Sequence, residues 1–258
     1  MTGSTELARG FRPCALVPTY DNPRTIRAVV ESVRRFVADV VVIDDGSAAE
    51  GRAAVAALAA DGLAHVHHRE TNGGKGAAVK TGFRVAHELG FTHALQVDAD
   101  GQHDLEDAPT LLAAARSDPD ALVLGAPIYD ETAPKGRLVG RRITQWWTNR
   151  ETGGPVIDDP MCGFRVYPLS LAASLKVPAN RMDFDIEVAV RMVWAGARVI
   201  NVPTRVKYLP ASAGGVSHFR MFEDNVRISW MHTRLYNIRL WSRVFSPLVW
   251  VFRRLRRA

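Results

Sequence analysis

Short apolar runs alternate with longer amphipathic segments along the first half of the chain. The runs are rich in β-branched residues and predict strands near residues 14–18, 39–43, 63–67, 92–97 and 120–125. Segments with helical periodicity separate them, near residues 24–36, 48–60, 75–89 and 107–116. This alternation is typical of a mostly parallel sheet with helices on both faces, so we predict an α/β, Rossmann-like fold.

Four polar or glycine-rich segments lie close to the ends of the predicted strands. They are residues 18–20, 44–47, 72–76 and 98–103. In the second of them, Ser47 is placed to cap the helix predicted at 48–60. Because ligands of open α/β sheets bind outside the carboxyl ends of the strands, we expect all four segments to meet at one rim of the sheet.

Asp98 and Asp100 follow the fourth predicted strand and are separated by one residue. Positions two apart share a face in an extended chain, so both carboxylates are expected to point the same way. Paired oxygen donors suit Mg²⁺ or Mn²⁺, which bind few protein carboxylates and complete their coordination with water and phosphate oxygens. The pair predicts a metal site for a diphosphate, with a solvated acidic turn as the alternative.

Lys75 lies in a glycine-rich turn, Asn72–Ala78, that opens the third predicted helix. Backbone N–H groups and the helix dipole favour anions at such a position. The turn does not fit the Walker pattern, because no Ser or Thr follows the lysine. An anion site and a solvated lysine at a helix start therefore both remain open.

Five motifs occur together in one order: Val17–Asn22, Ile43–Ser47, Asn72–Ala77, Val97–His103 and Asp159–Arg165. Together they resemble the motifs of family 2 glycosyltransferases with a GT-A fold, and within that family they are most similar to the dolichyl-phosphate mannosyltransferase-like branch. The resemblance covers roughly residues 13 to 210. It implies an inverting enzyme that uses a UDP- or GDP-sugar donor and Mg²⁺ or Mn²⁺.

The resemblance also implies roles for individual residues. Those expected beside the nucleotide are Pro18, Thr19, Tyr20, Asp45, Lys75 and Asp98. Those expected around the metal and diphosphate are Asp98, Asp100 and Gln102. Gly163, Phe164 and Arg165 resemble an acceptor-side loop, in which the arginine binds phosphate or sugar oxygens or forms a surface salt bridge instead.

The sequence differs from the mannosyltransferase-like branch in two places that concern the identity of the acceptor. The mannosyltransferase branch has a phosphate-binding arginine after the fifth strand, where this chain reads Leu124–Tyr129 without one. Arg142, or its neighbours Arg137 and Arg141, can replace it, although basic residues on a helix are usually solvated. Asp185 aligns with the catalytic aspartate of hydroxyl-glycosylating members, and an alcohol needs such a base whereas an ionised phosphate does not. The sequence therefore favours a hydroxyl acceptor, with Asp185 as a helix-start acid as the alternative.

Composition indicates one domain at residues 13–215, between a polar tail at 1–12 and a basic tail at 216–258. The two cysteines, Cys14 and Cys162, indicate reduced thiols, and residues 1–12 contain no apolar signal core, so we expect a cytoplasmic protein. His65, His67 and His68 are interpreted as strand and surface residues without a metal.

The last 43 residues carry a net charge of +7, whereas the whole chain carries +6. Trp241, Phe245, Leu248 and Trp250 interleave there with arginines that end in Arg253, Arg254, Arg256 and Arg257. The apolar run is too short to cross a bilayer and contains Pro247. We predict an amphipathic helix at the inner membrane surface; packing on the domain is the alternative, and no recognised nucleic-acid motif accompanies the charge.

The function predicted from the sequence is sugar transfer from a nucleotide-sugar to a lipid-linked or membrane-proximal hydroxyl. A polyprenyl-phosphate glycosyltransferase is the first alternative. A sugar nucleotidyltransferase is a second, although such enzymes normally have a glycine-rich loop with an arginine where this chain has Pro18–Tyr20. A non-catalytic nucleotide-sugar-binding module is the third.

Overall fold

The computed structural model describes residues 10–129, 135–206 and 220–255. The strands are β1 (Pro13–Thr19), β2 (Val40–Asp44), β3 (His65–His68), β4 (His93–Gln96), β5 (Leu122–Ile128), β6 (Arg165–Pro168) and β7 (Val199–Arg205). The helices are α1 (Ile26–Arg34), α2 (Ala49–Ala60), α3 (Lys75–Glu88), α4 (Ala108–Ser117), α5 (Lys135–Thr152), α6 (Leu169–Ala172), α7 (Phe184–Trp194) and α8 (Met221–Leu255).

The strands form one sheet in the order β3-β2-β1-β4-β6-β5-β7. Strand β6 runs antiparallel to β4 and β5, while the remaining neighbours pair in parallel. The predicted α/β fold with a mostly parallel sheet is confirmed. All five predicted strands and four predicted helices are present with end shifts of a few residues, and the parallel register brings the ends of β1, β2 and β4 to one rim.

Two apolar cores lie on opposite faces of the sheet, because alternate residues of each strand point to opposite sides. Leu16 packs with Phe83 of α3 and Phe184 of α7 on one face. Val17 packs with Val30 of α1 on the other face, together with residues of α2 and α4. The approach of α3 to β1 requires Gly82, since a Cβ there would lie 2.2 Å from a methyl carbon of Leu16.

The loop before α2 differs from the prediction that Ser47 caps this helix. Ala48 is the N-cap residue, and its backbone N–H donates to the Asp21 carboxylate at 2.8 Å. The Ser47 hydroxyl instead accepts a hydrogen bond from the backbone N–H of Asp21 at 2.9 Å. Asp21 lies in the loop between β1 and α1, and its positive φ of 50° brings that loop to the start of α2.

The last helix, α8, is anchored to the domain by its first half. Ile228, Met231 and Leu235 are buried against Ile186 and Val190 of α7. The first half of α8 therefore packs on the domain, which agrees with the alternative interpretation of the tail. The predicted membrane contacts Phe245, Leu248 and Trp250 lie outside the described side chains, as do the ends of the predicted tail. No helix in the described part of the chain is both long and apolar enough to span a bilayer.

Candidate active site

A lysine joins two carboxylates from different parts of the chain at the rim of the sheet. Lys75 Nζ lies 2.8 Å from Asp98 Oδ1 and 2.8 Å from Asp185 Oδ2. Asp185 Oδ1 also accepts a hydrogen bond from the Gln96 amide at 3.3 Å. Asp98, Lys75 and Asp185, which the sequence placed in three separate roles, therefore form one electrostatic cluster.

Local backbone geometry brings these three residues together. Asp98 lies just beyond β4, and Gly101, with a φ of +73°, turns the chain back after Asp100. Lys75 is the first residue of α3, and Gly76 behind it lets α7 approach, since a Cβ there would lie 2.3 Å from Cβ of Phe184. Phe184 is the first residue of α7, so this contact sets Asp185 beside Lys75.

Burial strengthens the interactions of the cluster. The side chains of Lys75, Asp98 and Asp185 are 15%, 24% and 5% exposed. Burial alone would raise the pKa of Asp98, but Lys75 and His103 outweigh it and hold the pKa well below its ordinary value. Burial alone would lower the pKa of Lys75, but Asp185 and Asp98 outweigh it and raise the pKa. Lys75 is therefore a charged bridge between two carboxylates, and it is not a solvated lysine.

A cavity of about 90 Å³ opens beside this cluster. Its lining includes Asp98, Asp100, Gln102, His103, Arg141 and Gly163. Gly163 leaves the space that the Asp98 carboxylate occupies, because a Cβ at this position would lie 2.4 Å from Asp98 Oδ2 and 2.8 Å from Lys75 Nζ. The loop containing Gly163 and the segment at 98–103 thus form the two sides of one site.

The residues at the cavity fit a divalent cation. Both oxygens of the Asp98 carboxylate are close to Lys75 Nζ, with Oδ1 at 2.8 Å and Oδ2 at 2.9 Å, and Asp98 and Asp100 line the same cavity. Burial and the charge of Asp98 raise the pKa of Asp100. Two neighbouring carboxylates repel each other when both are ionised, and a bound cation would remove that repulsion. No cluster of three or more His, Cys, Asp or Glu side chains suited to a metal occurs among the described residues. Magnesium and manganese need few protein ligands when phosphate oxygens supply others.

The residues expected beside the nucleoside lie on the β1 and β2 side of the rim. Pro18 and Thr19 are buried, whereas Tyr20 is 37% exposed. Asp45 is 2% exposed, and its carboxylate accepts hydrogen bonds from the backbone N–H groups of Gly73, at 3.1 Å, and Gly74, at 2.7 Å. Asp45 therefore fixes the glycine turn in front of Lys75, and its predicted contact with a base or ribose stays a prediction.

Arg165 and Phe164 do not face the cavity in the way that the sequence suggested. Arg165 is fully buried, and its guanidinium donates to the carbonyl oxygens of Cys162, Asp185 and Pro160. Phe164 is also fully buried and stacks on His103, with ring centroids 5.1 Å apart. Both residues shape the loop around Gly163, so direct acceptor binding and a surface salt bridge are wrong for Arg165 in this conformation.

The basic residue at the cavity is Arg141, whereas the sequence analysis selected Arg142. Arg142 is exposed and does not line the cavity. Arg141 pairs with Asp159, whose Oδ2 also accepts a hydrogen bond from the Tyr129 hydroxyl at 2.6 Å. Asp159 is the first residue of the motif at 159–165, so an ion pair between it and one of the arginines could have been sought from the sequence. Side chains one residue apart point about 100° apart on a helix, and only a structure decides which faces the site.

The remaining sequence predictions concern thiols and histidines. Cys14 and Cys162 are free, as predicted, and the structure adds that both are buried, which raises the pKa of each to about 12. His65, His67 and His68 belong to β3, where His68 Nδ1 lies 2.8 Å from Asp44 Oδ2. His103, which the sequence analysis did not single out, lines the cavity, and its Nε2 is 3.5 Å from Asp98 Oδ2.

Comparisons with known proteins identify the family of the chain. The family model described as "Glycosyl transferase family 2" matches residues 14–171. An undecaprenyl-phosphate mannosyltransferase from Micrococcus luteus is 30% identical over 206 residues, which are 75% of this chain and 82% of that protein. A polyprenol monophosphomannose synthase from Mycolicibacterium smegmatis is 29% identical over 203 residues, covering 74% of this chain and 76% of that protein.

A solved structure shows the same fold at low sequence identity. Glucosyl-3-phosphoglycerate synthase from Mycobacterium tuberculosis, crystallised with Mn²⁺, uridine diphosphate and phosphoglyceric acid, matches with a TM-score of 0.66 and 16% identity. The match covers 90% of this chain and 79% of that chain. The resemblance carried by the five motifs is confirmed, and the nucleotidyltransferase and non-catalytic alternatives are set aside. The chain belongs to glycosyl transferase family 2 and is a glycosyltransferase.

Proposed function

We propose that the protein transfers a sugar from a nucleotide-sugar donor to the phosphate group of a polyprenyl monophosphate. The acceptor differs from the hydroxyl that the sequence favoured. The observation that carries the proposal is the position of Asp185, which does not line the cavity and is held by Lys75 at 2.8 Å and by Gln96 at 3.3 Å. Among the described residues, the carboxylates that line the cavity are Asp98 and Asp100, which suit a cation.

A phosphate acceptor is compatible with such a site because it requires no proton removal. A phosphate monoester is already ionised near neutral pH, whereas an alcohol needs a positioned base. Arg141 supplies positive charge at the cavity, and a guanidinium matches the oxygen atoms of a phosphate. Two relatives, named undecaprenyl-phosphate mannosyltransferase and polyprenol monophosphomannose synthase, support the same acceptor class.

The proposed reaction is a direct displacement with inversion. A phosphate oxygen of the acceptor forms a bond to the anomeric carbon, and the bond from that carbon to the nucleoside diphosphate breaks. Arg141 holds the acceptor phosphate, and Asp159 with Tyr129 orients Arg141. Holding both reactants in line supplies much of the rate enhancement in such reactions.

Asp98 and Asp100 would hold Mg²⁺ or Mn²⁺, which stabilises the charge of the departing diphosphate when bound. Lys75 keeps Asp98 ionised in the absence of the metal. Residues 18–20 and the turn fixed by Asp45 form the proposed nucleoside side of the site. The base and the sugar of the donor are not assigned.

The acceptor class is tested with two substitutions. In Asp185→Asn, turnover on a short-chain polyprenyl phosphate should fall by less than about tenfold, because no general base is removed; loss of a base costs about 10² to 10⁴-fold. In Arg141→Gln, KM for the phosphate acceptor should rise, while the affinity for the nucleoside diphosphate stays close to wild type. Arg142→Gln is the matched control, since its side chain lies outside the cavity. A 10³-fold loss of turnover in Asp185→Asn with normal donor affinity would restore the hydroxyl-acceptor alternative.

A further inference from the structure

Exposed apolar side chains are concentrated on two neighbouring helices. Of fifteen exposed large apolar side chains in the described structure, three belong to α5 and eight to α8. The other four are spread over the surface, at Tyr20, Leu89, Ile128 and Val156. Scattered exposed apolar residues are normal, whereas a concentration of this kind indicates an interaction surface.

The apolar residues of α5 form a stripe along one side. Val139, Ile143 and Trp146 are 57%, 56% and 50% exposed. Spacings of four and three residues place them on the same helix face. The buried side of α5 carries Thr144, Thr148 and Glu151 instead. The helix therefore exposes three large apolar residues while polar residues occupy its fully buried positions, unlike an ordinary surface helix.

Helix α8 is apolar on two sides. Ile228, Met231 and Leu235 face the domain and are buried. Phe222, Val226 and Trp230, spaced by four residues, are 81%, 54% and 67% exposed, and Trp241 and Val244 continue the exposed set. A helix that is apolar on both sides is normally covered on both sides. The outer side of α8 thus lacks a cover within the described structure.

A groove separates α5 from α8, and Trp146 of the α5 stripe lines it. A cavity of about 440 Å³ lies between α5 and α8, lined by Trp146 and Arg150 of α5 and Tyr236 of α8. Behind it, the ring of Trp147 lies 5.8 Å from that of Tyr236 and 6.1 Å from that of His232. These contacts hold α5 against α8. We term the exposed apolar stripes of the two helices together the α5–α8 face, defined by Val139, Ile143, Trp146, Phe222, Val226 and Trp230.

The charges around this face identify its occupant. Arg142 and Arg150 are exposed on α5, and the Arg150 guanidinium lies 4.0 Å from the centre of the Trp146 ring. The only acidic residue within the sequence of α5 is Glu151, which is fully buried. The acidic residues of α8 are Glu223 and Asp224 in its first turn, and both pair with Arg227. Two copies of this face would oppose like charges. An anionic bilayer offers negative charge at the surface and apolar depth beneath it, with tryptophan suited to the boundary.

We propose that the α5–α8 face binds the surface of an anionic bilayer, and that α5 is an essential part of the attachment together with the C-terminal helix. This goes beyond the tail predicted from the sequence, because α5 belongs to the catalytic domain. Arg141 at the cavity and Ile143 on the face lie on nearly opposite sides of α5, so bilayer contact through Ile143 holds the cavity one helix diameter, ~10 Å, from the bilayer surface.

The test is flotation of the full-length protein with vesicles of phosphatidylcholine alone or with 30% phosphatidylglycerol as the anionic probe. Wild type should float with the anionic vesicles. Ile143→Ser/Trp146→Ser should lower the partition coefficient by at least about tenfold, because burial of apolar side chains drives interfacial binding. Leu89→Ser, at an exposed apolar residue remote from the face, is the matched control and should change it by less than about twofold. Arg150→Glu should weaken binding to anionic vesicles only.

Three outcomes would overturn the proposal: a wild-type protein that does not float with anionic vesicles at low salt, a double variant that floats as well as wild type, or a dimer in light scattering that the double variant dissociates. Equal unfolding temperatures for wild type and variants exclude misfolding as the cause of lost flotation. Turnover on a water-soluble short-chain polyprenyl phosphate should be unchanged in the double variant. If the wild-type protein showed no turnover on this substrate, the proposed function would be contradicted, but the flotation result would still support membrane binding.

Discussion

Substitution of Lys75 by Gln removes the cation that Asp98 and Asp185 share. In the folded protein both carboxylates lie 2.8 Å from Nζ, and none of the three side chains is more than 24% exposed. Removal of one partner from a buried ion pair leaves uncompensated charge and costs about 3–5 kcal/mol. Because Gln keeps a polar side chain of similar length, the lost charge is the main change. We expect the free energy of unfolding at pH 7 to fall by about this amount.

The loss should depend on pH in a defined direction. The depressed pKa of Asp98 stabilises the wild-type fold above its unfolded value of about 3.9, and this stabilisation is lost as pH falls. The raised pKa of Lys75 stabilises the fold below its unfolded value of about 10.4, and this stabilisation is lost as pH rises. The difference between wild type and variant should therefore be largest between about pH 5 and pH 9 and smaller at pH 4.

Urea denaturation followed by circular dichroism measures this difference by linear extrapolation. Lys176→Gln is the matched control, because Lys176 is exposed and the same substitution there should change stability by less than about 0.5 kcal/mol. A Lys75→Gln variant within about 1 kcal/mol of wild type at pH 7, or a difference that grows as pH falls to 4, would refute the bridging role of Lys75.

Two further predictions follow from the same cluster and its surroundings. Gly163→Ala should displace the Asp98 carboxylate and weaken Mn²⁺-dependent binding of a nucleoside diphosphate by about 10 to 100-fold in calorimetry. Gly154→Ala is the control, because a Cβ there meets no atom within 4 Å, and this variant should bind as wild type does. Equal affinities of the two variants would contradict the packing described around Asp98. Cys14 and Cys162, buried thiols with pKa values raised to about 12, should react with a thiol reagent at pH 8 only on unfolding; rapid labelling of the native protein would contradict their burial.

The sequence predicted the sheet well where the strands are long apolar runs followed by helices. It missed β6 and β7 for identifiable reasons. β6 has four residues and begins with an arginine, and β7 contains Asn201 and Pro203, so neither has the composition of a buried strand. β6 is a strand because its backbone pairs with β4 and β5, and the arginine is accommodated there because its guanidinium donates to three carbonyl oxygens inside the protein. Both facts are tertiary information.

The site was predicted in its composition more than in its contacts. Asp98, Lys75 and Asp185 were each predicted to be site residues. Their ion pairs depend on the packing of α7 against Gly76, which no local sequence pattern reveals. Arg142 was selected over Arg141 because the helical pattern does not show which arginine meets Asp159. Arg165 was assigned to the acceptor from its chemistry, while its burial followed from the pairing of β6 with β4.

A phosphate acceptor is distinguished from a hydroxyl acceptor by offering the protein two acceptors that differ only in that group. The purified full-length protein with Mn²⁺ is incubated with UDP- or GDP-sugars and either a short-chain polyprenyl monophosphate or the corresponding polyprenol, and products are identified by mass spectrometry. We expect a polyprenyl phosphosugar that retains the acceptor phosphate, with release of the nucleoside diphosphate and no product from the alcohol. Transfer to the polyprenol with none to the monophosphate would contradict this expectation.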